Sequence, residues 1–404
     1  MTGRRPVLKA LLWLLLLLQP ALVHAVTLPA WLKLPSKPAG PPVKLPQRKL
    51  NLGEFTGATG ASARKALGAE LTNSREFVIT QEGGEYTVSG SSVGGRVTGK
   101  LVRVADGKQV FERTYAAPGL DENLRILSDD IIFAVTGKPG LATSRIVFVS
   151  DRSGSKQIYM CDTQGKDVQQ VTRHPHGAVS PTLSPDGGQI AYTTYRVGFP
   201  IVQILDLGMG WERTVTDTPG SSFGAAFSPD GQRLALVMSF LGNPEIFVTD
   251  LSTNTAGCIS DTVGAASSPT WHPDGKQVMF SDDRGDGPKL YVAEVPEKAG
   301  ASSRLFLWRA GHSFCTDPEF SPDGHHVAFT VRKGRETAVV VRDYPVGSST
   351  VIQADGAQHP SWSPNGRYLC YVQHGTLYVH DLRTAQRRAV LTQYGTISEP
   401  RWMR

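Results

Sequence analysis

The 404-residue sequence predicts a small α/β domain followed by an all-β, six-bladed β-propeller that its own C-terminal strand closes. Three observations predict it. Pro-Asp/Asn-Gly recurs five times, at Pro185-Asp186-Gly187, Pro229-Asp230-Gly231, Pro273-Asp274-Gly275, Pro322-Asp323-Gly324 and Pro364-Asn365-Gly366. The prolines stand 44, 44, 49 and 42 residues apart, the period of four-stranded propeller blades. Short runs of β-branched and aromatic residues flank every copy, as strands would. Finally, three strand-like runs precede the first copy without an innermost partner, and the last residues of the chain supply one.

Taken in order, residues 1–25 read as a secretory signal peptide. Arg4, Arg5 and Lys9 precede the apolar run 11–18, and Val23-His24-Ala25 resembles a small-residue cleavage site. The apolar run is too short for a membrane span, and no cysteine stands at the cleavage site for a lipid. No direct membrane span is expected elsewhere, so the mature chain should be soluble and exported. Residues 26–44 form a Pro- and Lys-rich arm with the character of an extended spacer.

Residues 45–140 make a small α/β domain. Strands are expected at 49–55, 77–80, 86–89, 97–104 and 110–115, with Asp106-Gly107 as a hairpin turn. Two helices carry apolar stripes at helical spacing. The first, 61–73, aligns Ala63, Leu67 and Leu71; the second, 121–135, aligns Leu124, Leu127, Ile131 and Val135.

Residues 141–404 form the propeller. In each turn proline presets φ, Asp or Asn bonds its own backbone, and Gly accepts positive φ. Inner strands run into the turns (Pro181-Thr182-Leu183, Pro269-Thr270-Trp271, Pro318-Glu319-Phe320, Pro360-Ser361-Trp362) and second strands leave them. Blade 1 takes strands at 145–149, 157–161 and 168–172, and Pro400-Arg401-Trp402 completes it. Closure of this kind removes exposed sheet edges.

Charge and motifs narrow the function. The net charge of +6 is misleading, because residues 1–50 hold eight Lys or Arg and no acid. The rest has 34 basic against 36 acidic residues, a net −2, so no nucleic-acid footprint is expected. Gly90-Ser91-Ser92-Val93-Gly94 and Gly220-Ser221-Ser222-Phe223-Gly224 match the G-x-S-x-G of serine hydrolases. Neither precedes a helix, as a nucleophile elbow requires. Residues 94–100 mimic a phosphate-binding loop, but Leu101 stands where Ser or Thr is needed. His174-Pro175-His176, His312 and His359 lack metal-ligand spacing and read as loop histidines. Cys161, Cys258, Cys315 and Cys370 fall in different blades as small packing residues, with their disulfide state open. No catalytic residue, metal or cofactor is expected.

At the junction of the two parts, the sequence resembles the TolB family of Gram-negative envelopes. Thr136-Gly137-Lys138-Pro139-Gly140-Leu141-Ala142-Thr143-Ser144-Arg145-Ile146 is similar to the family's T-G-x-x-G-x-F-x-T-R-I link. Glu70-Leu71-Thr72-Asn73-Ser74-Arg75-Glu76-Phe77 resembles its D-L-x-x-S-G-x-F, and Phe280-Ser281-Asp282-Asp283-Arg284-Gly285 its F-T-S-D-R-x-G. The closing Pro-x-Trp is also shared.

The resemblance implies a periplasmic, non-enzymatic adaptor of a Tol-Pal-like system. Its propeller mouth would bind the peptidoglycan-associated lipoprotein Pal, and its N-terminal region would meet the inner-membrane protein TolA. Envelope integrity and cell division would depend on it. At family positions of Pal contact this chain carries Ser221, Gly224 and Ser267 where the family has His, Ala and Thr. Equivalent rim loops bring His176, Ser180, Phe223, His312 and Phe314 to the same mouth, with Thr316, His359 and Glu399. Phe223 and Phe314 are the expected aromatic anchors. The Pro-rich arm departs from the family's strand-forming N-terminus, since proline lacks the donors for strand addition. The alternatives are a propeller enzyme (peptidase, hydrolase or lyase) or a glycan-binding envelope module. A peptidase of this turn type would need a hydrolase domain, for which no room is expected before Arg404.

Overall fold

The computed structural model describes residues 47–195, 198–216, 220–240, 242–260, 262–297 and 302–403. The expected signal peptide and arm lie outside the described residues.

The first part comprises β1 (Arg48–Thr56), α1 (Gly60–Asn73), β2 (Phe77–Thr80), β3 (Tyr86–Val93), β4 (Arg96–Arg103), β5 (Gln109–Tyr115) and α2 (Leu120–Thr136). They build one sheet in the order β2-β1-β3-β4-β5. β1 runs parallel to both its neighbours, and the other pairs are antiparallel. Both helical stripes are buried and meet Leu50, Val88, Val97 and Leu101 of the sheet in one core. At the closest approach a Cβ on Gly99 would lie 2.4 Å from Leu127 Cδ1, so only glycine lets α2 settle there. Asp121 and Glu122 occupy the first turn of α2, where the helix dipole favours acids. Gly137, at φ 73°, caps its end by donating to the Phe133 carbonyl at 2.8 Å.

Six four-stranded antiparallel sheets follow. The first strands of blades 2–6 are Ala178–Leu183, Ser222–Phe227, Ala265–Trp271, Cys315–Phe320 and Ala357–Trp362. Each touches the first strand of the next blade, and Ile397–Trp402 touches those of blades 6 and 2. These strands therefore form a closed inner ring. Ile397–Trp402 pairs with Arg145–Ser150, setting Trp402 opposite Ile146, so the C-terminal strand completes blade 1 as expected. Its outer strand is shorter than the expected 168–172, covering only Gln169–Gln170. The reason is a side chain: Thr172 Oγ1 accepts the Ile158 N–H at 2.9 Å, replacing the next ladder bond.

The turns show why serine precedes most of the Pro-Asp-Gly copies. Ser184 Oγ donates to Asp186 Oδ1 at 2.5 Å and accepts the Gln189 N–H at 2.9 Å, and Ser228, Ser321 and Ser363 make the equivalent bonds. The serine bond and a backbone N–H hold the Asp186 carboxyl below its ordinary range. These aspartates are bonded into their turns and do not form acid–base pairs. Neighbouring blades are pinned by indoles: Trp271 Nε1 donates to the Ala226 carbonyl at 3.0 Å and Trp362 Nε1 to that of Glu319 at 3.1 Å. The four cysteines are free thiols; burial pushes Cys161 up to about 12, which leaves it protonated and inert.

The α/β part meets the propeller on the face of the Pro-Asp-Gly turns. Arg367, in the turn of blade 6, reaches Glu76 Oε1 at 2.7 Å and Asp381 Oδ2 at 2.8 Å. Arg383 adds a 3.3 Å contact to Glu76. On blade 1, Arg125 of α2 faces Asp162 at 3.5 Å and Asp167 at 3.6 Å.

Candidate partner-binding mouth

The opposite face carries the loops that lead into the inner strands. Each inner strand makes the same irregularity as it passes the second strand. The register shifts between Val179 and Thr182 (opposite Thr193 and Ala191), Phe223 and Ala226, Ser267 and Thr270, Thr316 and Glu319, Gln358 and Ser361, and Ser398 and Arg401. At every shift one residue has positive φ: Ser180 (52°), Gly224 (56°), Ser268 (52°), Asp317 (51°), His359 (54°) and Glu399 (50°). Such bulges re-aim a side chain, and a left-handed non-glycine residue costs about 1–2 kcal/mol. In five of the six, proline follows (Pro181, Pro269, Pro318, Pro360, Pro400), where a missing N–H is harmless because the bulge has already interrupted the ladder.

Bonds between blades link several members of this circle of bulges. The Ser180 N–H donates to Glu399 Oε2 at 2.5 Å, and the Gly224 N–H to Thr193 Oγ1 at 3.1 Å. Ser268 Oγ donates to Asp317 Oδ1 at 3.4 Å; Asp317 Oδ2 lies 3.8 Å from His359 Nε2 and accepts from Thr316 Oγ1 at 3.0 Å. Just beyond, Glu319 accepts from Ser361 Oγ at 3.1 Å and lies 3.8 Å from Arg401. The result is a polar throat carrying the Asp317 and Glu399 carboxylates, with Gly224 as its one member lacking a side chain.

The structure thus brings four of the expected site residues, Ser180, Gly224, His359 and Glu399, into one ring. Ser267 and Thr316 immediately precede ring members on their strands. Ser221 lies half-buried before the inner strand of blade 3, its carbonyl accepting the Ser239 N–H at 3.0 Å, and His176 is exposed in the loop ahead of blade 2. The two expected aromatic anchors are both half-buried. Phe223 is half-buried against the core shared by blades 3 and 4, because strand alternation turns it inward. Phe314 lies under the Arg332 guanidinium, 3.7 Å from Cζ to the ring centre. His312 packs edge-on against Phe329, away from the ring; burial and the Arg342 charge lower its pKa.

Ser268 and Asp317 belong to the ring without having been singled out in the sequence. Their signal is the residue before the inner-strand proline, in register with Ser180, His359 and Glu399. Both serine-hydrolase look-alikes sit in strands: Ser92 bonds Thr59 at 2.6 Å, and Ser222 bonds Thr216 at 2.9 Å. Among the described residues no group of three or more His, Cys, Asp or Glu is placed to hold a metal, and no helix is long and apolar enough to cross a membrane.

Comparison with known proteins agrees with this architecture. The family profile described as TolB beta propeller domain matches residues 133–404. The protein TolB homolog of Chlorobium chlorochromatii (strain CaD3) is 40% identical over 136 residues, 32% of this chain and 30% of the relative. The Tol-Pal system protein TolB of Desulfosudis oleivorans is 34% identical over 134 residues, 33% and 30% of the two chains. These alignments span about a third of the curated relatives' length. The crystal structure of TolB from Acinetobacter baumannii superposes with a TM-score of 0.70 at 24% identity, covering 88% of this chain and 96% of that one, and so shares the fold. With the profile matched over all six blades and the closing strand, the chain belongs to the TolB β-propeller family.

Proposed function

We propose that the protein is an exported, periplasmic, non-enzymatic adaptor of a Tol-Pal-like system, binding a Pal-like outer-membrane lipoprotein across the mouth formed by the loops before the inner strands. A TolA-like inner-membrane protein would engage the N-terminal region, and the bridge would support envelope integrity and cell division. The observation that carries this reading is the ring of six bulges at one end of the channel, with the α/β part bonded to the other end. Six loops surround that mouth, a platform able to supply a standard protein–protein interface of roughly 1,200–2,000 Å². The contact positions proposed are Ser180, Ser221, Gly224, Ser267, Thr316, His359 and Glu399, with His176, Phe223, His312 and Phe314 around them.

The test is capture from a detergent extract of the native envelope with the tagged mature chain. A Pal-like lipoprotein should be enriched, and Ser221→Arg with Ser267→Arg should abolish the enrichment. Absence of any such lipoprotein under conditions that keep envelope complexes intact would overturn the reading.

A further inference from the structure

On the rim between blades 4 and 5, outside the ring of bulges, a cleft of about 320 Å³ is lined by Lys289, Leu307, Trp308, Arg309 and His312 with the backbone of Ala310 and Gly311. Its chemistry divides into two halves. Trp308, only 5% exposed, is fixed by its indole N–H to the Pro345 carbonyl at 2.8 Å. Beside it, Leu307 lines the cleft and is 43% exposed; Phe306, its neighbour on the strand, is 42% exposed on the other face of the sheet. They belong to the outermost strand of blade 4, Leu305–Leu307, whereas the corresponding strands of blades 1 and 2 read Gln-Gln and Glu-Arg-Thr.

The other half is cationic. Arg309 is exposed and has no partner among the described residues. Lys289 is held at the edge by Asp286, the carboxylate bonded to a lining residue. His312 Nε2 is buried without a hydrogen-bond partner. A buried imidazole nitrogen left unpaired costs free energy that a ligand oxygen would recover. An exposed leucine next to an unpaired arginine, with a lysine at the edge, is what an acidic peptide with a large apolar residue would complement.

We propose that this cleft binds an acidic, apolar-flanked peptide segment of the protein partner. A carboxylate would meet Arg309 and the Nε2 of His312, and a leucine- or phenylalanine-sized side chain would cover Leu307 against the edge of Trp308. The proposal rests on the mouth reading above and extends it: the loop that forms the cleft continues through Phe314 to Thr316 at the ring, so one partner can occupy both.

The probe is the peptide acetyl-Glu-Leu-Glu-Phe-Glu-amide, titrated into the full mature protein while the Trp308 indole and His312 ring signals are followed by NMR. Saturable shifts of both are expected with this peptide and none with its lysine analogue. Lys289→Glu with Arg309→Glu, and Arg309→Glu alone, should each weaken binding at least tenfold, while Arg152→Glu on the blade 1 rim leaves it unchanged. No saturable shift, equal shifts with the lysine analogue, or unchanged affinity in both cleft variants would overturn the proposal. Failure of the envelope capture with the cleft still binding its peptide would count against the mouth reading instead.

Discussion

His380, on the third strand of blade 6, is 7% exposed, and its Nδ1 has no hydrogen-bond partner. Burial lowers its pKa; Asp381 opposes the shift and Arg387 adds to it. The neutral imidazole is therefore the form that folds. An unfolded histidine titrates near about 6.5, so on acidification the unfolded chain takes up the proton first, and stability falls as pH drops from 7 through that value toward the folded pKa. His312 acts in the same sense. The turn carboxylates, held low by their serines, contribute only below about pH 4. We expect thermal melting to lose less between pH 7 and pH 5 in His380→Gln than in the parent; an identical loss would show that the imidazole is not responsible. The ring residues give the corresponding lesson about reading sequence. Ser268 and Asp317 precede prolines, a position that ordinarily favours extended backbone. Nothing local marks them as left-handed, because the constraint comes from packing six inner strands around one channel.

At the scale of elements, the strands and turns were legible because each follows a rule written along the chain: alternation, a turn motif recurring every 42 to 49 residues, or a positive-φ glycine. Boundaries failed where a side chain took over a ladder bond, as Thr172 does. The inward turn of Phe223 follows from alternation within Ser222–Phe227, but only once the strand's start is fixed. Closure by Ile397–Trp402 makes a sharp prediction. Trp402 is buried, stacks on Tyr368 at 6.3 Å between ring centres and joins Cys370 and Val372 in one cluster. Trp402→Ala should cost about 3–5 kcal/mol in urea unfolding. A cost below about 1 kcal/mol, within the range of ordinary surface substitutions, would mean that the last strand does not close the ring.

At the scale of the molecule, the α/β part is keyed to the propeller by charges far apart in sequence. Arg367 and Asp381 are 5% and 3% exposed, and the Arg367–Glu76 bond joins residues 291 positions apart. No periodicity or motif reports such a pairing, so the docking of the two parts was invisible in the sequence although each part was readable alone. Removing one partner of a buried ion pair strands the other charge. Arg367→Ala should destabilise by about 3–5 kcal/mol, with the α/β part becoming more protease-sensitive first; resistance equal to the parent's would show that the cluster does not hold the two parts together.

That docking also bears on the central claim, since the α/β part bonds to the turn face and the mouth lies opposite. The most direct measurement is calorimetric titration of the mature protein with the soluble domain of a Pal-like lipoprotein, comparing Ser221→Arg with Ser267→Arg at the mouth against Gln232→Arg in a turn of the opposite face. Binding at micromolar affinity or tighter should fall at least tenfold, about 1.4 kcal/mol, in the mouth variant and stay unchanged in the turn variant. No binding at all, or an equal loss in both variants, would contradict the account.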